Sequence, residues 1–294
     1  MNTCLPLTRE WVIENLCDKE MVLYQVRMDG YYFHNGLPIR FNDDGTAVSE
    51  GHEGSWIIED GRLLVWCGVT MEFNGFSYQN GVVLLGSPGF VIVPKKNYDL
   101  DLGVIVSTNQ KYRDKTLPVI IPSLLKAGFA KEDIRIVSSG CKLRDCDCED
   151  SFDNIPIKRI SYKAMGCGGF AAEGVGKHVN WLTLYDTCVV EPDLIARIEK
   201  LDFSLNPDFI AFDREIGIAS TWLVRRMRDN INYYKGAGLL HCIAGLSRVL
   251  VEADGFSREG RLEDCYKTGN KRKRLSNPNG IVKYASLARR RGIV

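Results

Sequence analysis

The stretch Trp181-Leu182-Thr183-Leu184-Tyr185-Asp186-Thr187-Cys188 decides how this chain reads. An apolar run of strand length ends in a carboxylate. Bounded by turn-forming residues, such a run is a buried strand, and ligands of open α/β sheets collect at the carboxyl ends of strands. Upstream, Leu102 to Ser107 gives the same signal and runs into Thr108-Asn109-Gln110-Lys111-Tyr112-Arg113. A helix follows over Lys115 to Phe129, with Pro118 and Pro122 near its start, and then a third strand, Ile134 to Ser138. Strand, helix and strand make a β-α-β unit, which implies parallel pairing. Further strands are expected at Ile157–Ser161 and Trp181–Tyr185, and helices at Pro192–Lys200, Ser220–Asn230 and Leu239–Val251.

Before residue 95 the grammar is different. Short apolar runs from Met21 to Pro88 are broken by Asp29-Gly30, Asn35-Gly36, Asp44-Gly45, Asp60-Gly61, Asn74-Gly75 and Asn80-Gly81. Asn-Gly and Asp-Gly favour tight hairpins because both central residues tolerate positive φ. A small antiparallel β domain is therefore expected over residues 1–95, and an α/β domain with a basic C-terminal tail over 96–294.

The bulk properties set limits. With 294 residues, 45% apolar and 26% charged, the chain suits one large or two smaller globular domains. It lacks an apolar stretch long enough to cross a bilayer, and its first residues lack the order of a signal peptide. A cytoplasmic protein is expected. A net charge of +1 implies no general attraction to nucleic acid. The charge is uneven, however: residues 261–294 carry ten Lys and Arg against Glu263 and Asp264. Such a tail, with Lys271-Arg272-Lys273-Arg274, suits an anionic surface or acceptor. The ten cysteines are scattered, several in apolar runs, as reduced thiols would be. Cys141, Cys146 and Cys148 cluster, but no fourth zinc ligand stands at a suitable spacing.

The run Val104-Ile-Val-Ser-Thr-Asn-Gln-Lys-Tyr-Arg-Asp-Lys-Thr-Leu-Pro, then Ser123-Leu-Leu-Lys-Ala-Gly-Phe and Ile134-Arg-Ile-Val, resembles the opening of a GT-A-type glycosyltransferase. Asn180 to Cys188 resembles the strand that delivers that family's acidic motif, and Phe212-Asp-Arg-Glu-Ile-Gly resembles the segment beside the acceptor. The likeness covers roughly residues 100 to 230. It implies an α/β, GT-A-like mixed, mostly parallel sheet flanked by helices, preceded by the small antiparallel β domain. It also implies transfer of a sugar from a nucleotide-diphosphate donor to a glycan or other hydroxyl acceptor. By the same resemblance Thr108 and Arg113 contact the nucleotide, Asp186 binds the nucleotide-sugar with a divalent cation (Mn²⁺ or Mg²⁺), and Asp213 or Glu215 is the catalytic base.

The chemistry explains these residue types. Charge builds on the departing diphosphate and needs a divalent ion or cationic side chains, while the acceptor hydroxyl needs a carboxylate base. The family's acidic motif is Asp-x-Asp, but this chain has Asp186-Thr187-Cys188, and a thiol is a poor ligand for so hard an ion. Glu191 and Asp193 follow the same strand and offer further carboxylates. The histidines, His34, His52, His178 and His241, show no metal-like spacing. Two other readings stay open. One is a non-catalytic carbohydrate-binding protein with a degenerate transferase domain. The other is a methyltransferase or dehydrogenase using the glycine loop Gly166-Cys167-Gly168-Gly169, although the spacing departs from Gly-x-Gly-x-x-Gly.

Overall fold

The computed structural model describes residues 4–27, 32–34, 36–78, 81–87, 89–97, 100–141, 150–161, 178–213, 216–230, 246–253, 274–277 and 281–284. The chain divides into two units, Met1–Tyr98 with Asp202–Asn206, and Asp99–Leu201 with Pro207–Val294.

In the first unit, β1 (Cys4–Leu5) leads into α1 (Arg9–Asn15). Thr8 caps α1, its hydroxyl accepting from the Trp11 amide at 3.1 Å. The strands β2 (Met21–Arg27), β3 (Tyr32–His34), β4 (Leu37–Phe41), β5 (Thr46–Ser49), β6 (His52–Glu59), β7 (Arg62–Cys67), β8 (Val69–Tyr78), β9 (Gly81–Ser87) and β10 (Phe90–Pro94) follow. Antiparallel pairings run β2-β4-β5-β6-β7-β8-β9-β10 and return to β2, closing a barrel. Strict alternation does the sorting: in β7 Leu63, Val65 and Cys67 point inward while Trp66 faces out. Trp56, Phe41, Phe73, Ile39 and Met71 fill the interior, and Val12 and Leu16 from the α1 region pack into the same core. Among the described residues, the ring of eight strands is closed by the β10–β2 pairing.

Local chemistry accounts for the hairpins. Asp60 and Gly61 both have positive φ (49° and 73°), as do Glu50 and Gly51 (46° and 78°), the condition for tight two-residue turns. Asn74-Gly75 lies inside β8, where Gly75 pairs with both Leu5 and Leu84, and is therefore not a turn. Gly54 has a steric role instead: a Cβ there would stand 1.6 Å from the Trp66 carbonyl oxygen.

The second unit contains β11 (Leu102–Asn109), α2 (Arg113–Lys126), β12 (Ile134–Cys141), β13 (Ser151–Phe152), β14 (Ile155–Ser161), β15 (Asn180–Tyr185) and β16 (Cys188–Val190). Next come α3 (Leu194–Ile198), β17 (Phe209–Asp213), β18 (Ile216–Ser220), α4 (Thr221–Asp229) and β19 (Leu250–Glu252), then β20 (Arg274–Asn277) and β21 (Ile281–Tyr284). Strands pair in the order β14-β12-β11-β15-β18-β17-β19, with β18 antiparallel to both neighbours and the other pairs parallel. Val104, Val106, Leu182, Leu184 and Ile136 are fully buried along the centre. β21 pairs with β16 and β20, so part of the basic tail is a strand hairpin.

The expected GT-A-like mixed, mostly parallel sheet flanked by helices is overturned. Strand dominates the described residues, and the largest closed element is an antiparallel barrel. The described helices are few and short, of 7, 14, 5 and 9 residues. A parallel pair needs a crossover of a dozen or more residues. Within the barrel, β5–β6 and β6–β7 are instead joined by tight two-residue turns, and only two residues separate β17 from β18, so these strands fold back antiparallel. The expected helix over Leu239–Val251 ends in strand, since Leu250 begins β19; residues 239–245 lie outside the described residues.

Candidate functional site

The site is built from the carboxyl edge of the parallel strands upward. β11 pairs with β15 through Ser107 and Tyr185, and the Asp186 amide continues that ladder by donating to the Ser107 carbonyl at 3.0 Å. Thr108 stands opposite Ser138 of β12, which stands opposite Arg159 of β14. Asp186, Thr108, Ser138 and Arg159 thus form one transverse polar row across four neighbouring strands. Side chains at matched register share a face, so the row is a property of the sheet.

Its inner end is closed. Asp186 is fully buried and Thr108 is 3% exposed. The Thr108 hydroxyl donates to Asp186 Oδ2 at 2.5 Å, and the Thr116 hydroxyl of α2 donates to the same oxygen at 2.7 Å. Ser139 donates its hydroxyl to the Thr108 carbonyl at 3.1 Å. A buried carboxylate survives only if hydrogen bonds replace its water, and the two threonines supply them. The Ser138 hydroxyl, also fully buried, has no hydrogen-bond partner among the described residues.

Its outer end is a cluster of paired arginines and aspartates. Asp150 Oδ2 accepts from Arg159 Nε at 3.1 Å and Nη2 at 2.8 Å, and also from Arg113 Nη1 in the first turn of α2. The two arginine side chains are 16% and 15% exposed, so each keeps a solvent-facing part. Burial of Asp150 pushes its carboxyl up, but the hydrogen bonds and charges of Arg159 and Arg113 outweigh that and hold it below its ordinary value of 3.8. Asp114 Oδ1 lies 3.5 Å from Arg113 Nε as well, so two guanidiniums and two carboxylates meet at this edge.

Thr108, Arg113 and Asp186 are therefore brought to one end of the sheet. Asp213 ends β17, which runs in the same direction as β15 because β18 between them is antiparallel to both. Its backbone lies at the same edge, two strand spacings or about 10 Å across. Glu215, His241, Cys146, Cys148 and the Gly166–Gly169 loop lie outside the described residues. Glu191 and Asp193 instead pair with Arg197 of α3, at 3.4 and 2.8 Å. His178 is at the opposite edge, its Nδ1 2.5 Å from Asp101 Oδ1 and its Nε2 3.1 Å from Asp133 Oδ1, tying together the starts of three strands.

Asp150, Arg159, Thr116 and Ser138 were not singled out from sequence. Arg159 carried a faint signal, a cation near the end of an apolar strand; Asp150 was hidden in the acidic run after Cys148. The donor set beside Asp186 does not fit Mn²⁺ or Mg²⁺. Two hydroxyls occupy one carboxylate oxygen, Cys188 is a buried thiol, and no group of three His, Cys, Asp or Glu side chains among the described residues could hold a metal.

No protein-family model matches the chain, and no curated protein matches it. Among solved structures it has distant likenesses. To TarS residues 1–349 of S. aureus it is 12% identical with a TM-score of 0.34, over 53% of this chain and 60% of that one. To the same TarS fragment in complex with UDP-GlcNAc it is 14% identical with a TM-score of 0.33, over 57% and 64%. To the glycosyltransferase GlyE of Streptococcus pneumoniae TIGR4 it is 13% identical with a TM-score of 0.35, over 58% and 47%. The chain spans less than two thirds of each of these structures.

Proposed function

We propose that the chain is a glycosyltransferase that moves a sugar from a nucleotide-diphosphate donor to a glycan or other hydroxyl acceptor. One observation carries the reading: the polar row Asp186–Thr108–Ser138–Arg159 ends in the Arg113–Asp150–Arg159 cluster, at a strand edge that also ends in Asp213. In the transfer, the acceptor oxygen bonds to the anomeric carbon as the bond from that carbon to the diphosphate oxygen breaks. The diphosphate leaves with the electron pair and meets Arg113 and Arg159, whose planar guanidiniums suit phosphate oxygens. The acceptor proton passes to Asp213. Asp186, being fully buried, is a positioning residue: through Thr108 and Thr116 it holds β11 and α2 so that Arg113 reaches the edge. Charge on the leaving group is met by arginine in this reading.

A second reading, a non-catalytic carbohydrate binder, draws support from buried Cys188, which stands where the resembled family has a second carboxylate.

The test is a thermal-shift and calorimetric panel of nucleotide diphosphates and nucleotide sugars, starting with UDP and UDP-GlcNAc, each with and without Mn²⁺. A donor at about 100 times its dissociation constant stabilises the fold by about 2.7 kcal/mol, which such a scan resolves. Turnover with the bound donor is expected to fall at least about a hundredfold in Asp213→Asn with donor affinity retained. If no nucleotide shifts the melting point, the transferase reading falls; glycan binding without nucleotide binding would establish the second reading.

A further inference from the structure

We infer that the outer face of β6, β7 and β8 around Trp66 binds a neutral saccharide chain. Trp66 stands opposite Ser55 of β6 and Thr70 of β8, and Leu64 stands opposite Ile57 and Glu72 in the next row. Residues at matched register share a face, and neighbours across strands lie about 5 Å apart. The alternate positions Trp56, Leu63, Val65, Met71 and Phe73 fill the barrel, so this set is turned away from the core. Ser55, Ile57, Trp66 and Thr70 are exposed. Trp66 differs from the other tryptophans. Trp56 and Trp181 are buried, with Nε1 donating at 2.9 and 2.8 Å. Trp11 packs against the barrel core, and Arg226 and Arg248 lie over Trp222. Trp66 is 37% exposed, and its Nε1 has no hydrogen-bond partner among the described residues.

The chemistry of this set fits a sugar ring. A pyranose with equatorial substituents turns axial C–H bonds outward on its faces, and such a face packs on an indole, which is apolar in body and polar at its N–H. The hydroxyls of the sugar need donors and acceptors at the rim. The indole N–H donates, and the Ser55 and Thr70 hydroxyls do either. Glu72, whose Oε1 is held by Arg62 Nη1, has a second oxygen to accept. Leu64 and Ile57 extend the apolar floor by one row. An open strand face encloses nothing, so it holds an extended chain along its length and not a single small sugar. Charge sets polyanions aside: residues 53–78 contain Glu53, Glu59, Asp60 and Glu72 against one cation, Arg62, which repels nucleic acid and anionic lipid. A protein partner would need an apolar core in an interface of about 800 Å² a side. Here hydroxyls and charges interrupt the apolar positions in both rows. The inference holds under either functional reading above, since it concerns the barrel unit by itself.

The experiment is titration calorimetry of the full chain with cellohexaose and with chitohexaose, read together with tryptophan fluorescence. The wild type is expected to bind at least one of them with a change in emission. Trp66→Ala is expected to bind about tenfold or more weakly, with unchanged circular dichroism. Trp66→Phe is expected to keep most of the binding and Trp66→Leu to lose it, because Leu is apolar but offers no ring face. Wild type that binds neither hexasaccharide overturns the inference, as does equal binding by Trp66→Ala or Trp66→Leu. A wild-type dimer that Trp66→Ala turns into a monomer would also overturn it and make the face a contact between copies. The nucleotide panel tests the transferase reading separately, so the failure of one leaves the other standing.

Discussion

Thr108 and Asp186, 78 residues apart in the chain, meet across β11 and β15 through a hydroxyl-to-carboxylate bond of 2.5 Å. Thr116 donates to the same oxygen, so one buried carboxylate joins two strands and the helix between them. Removing such an acceptor leaves two buried hydroxyls without it. Asp186→Ala is expected to lower unfolding free energy by about 1–3 kcal/mol, measured by urea denaturation. In a double-mutant cycle, Asp186→Asn with Thr116→Val is expected to be clearly non-additive. Additive effects would mean that the contact does not couple α2 to the sheet.

Asp150 makes stability depend on acid. Its carboxyl sits below its ordinary value because Arg159 and Arg113 together outweigh the cost of burial. The unfolded chain therefore binds this proton at higher pH than the folded one. The contribution is fully present above the ordinary value of 3.8 and is lost as pH falls through the depressed folded value. Asp150→Asn is expected to flatten the acid limb of a plot of urea midpoint against pH, and to leave two arginines facing each other at neutral pH. A variant with the wild-type acid limb would contradict this.

Arg113 and Arg159 carry the nucleotide prediction. Each charge-assisted bond to phosphate is worth about 1.5–3 kcal/mol, so Arg113→Met or Arg159→Met is expected to weaken diphosphate binding by about 10- to 100-fold. Titration calorimetry reads this directly. Chelation with EDTA is expected to leave wild-type nucleotide affinity unchanged, because the donors beside Asp186 do not suit a hard divalent ion. A large loss on chelation would restore the metal to the site.

Gly54 tests the barrel. An added Cβ meets the Trp66 carbonyl oxygen at 1.6 Å, and backbone cannot swing aside as a side chain can. Gly54→Ala is expected to destabilise by at least about 1–3 kcal/mol. Gly51→Ala meets nothing within 4 Å and bears only the strain of φ +78°, about 1 kcal/mol. The reverse order of melting points would show that β6 and β7 are not packed this closely.

Legibility followed the range of the interaction. Strand text at Leu102–Ser107 and Trp181–Tyr185, helix text before Phe129 and the Asp60-Gly61 turn are decided by residues a few positions apart. Asn74-Gly75 was misread as a turn because the pair carries the same local signal inside β8 as at a hairpin. Barrel closure through β10 and β2 depends on strands far apart in sequence, which no turn pair announces. The weight of strand over helix was misjudged for the same reason, since closure of the barrel needs no helix between its strands.

What the sequence determined by itself is the alternation that buries Leu63, Val65 and Cys67, the apolar strands of the second unit, and the presence of Thr108, Arg113 and Asp186 at strand and helix ends. Tertiary structure alone decided that Asp186 is enclosed by Thr108 and Thr116, that Asp150 binds both Arg113 and Arg159, and that Arg248 covers Trp222. The reason is physical. Backbone periodicity is written in neighbours, whereas pairing of a buried charge depends on strand register, which only the assembled sheet supplies.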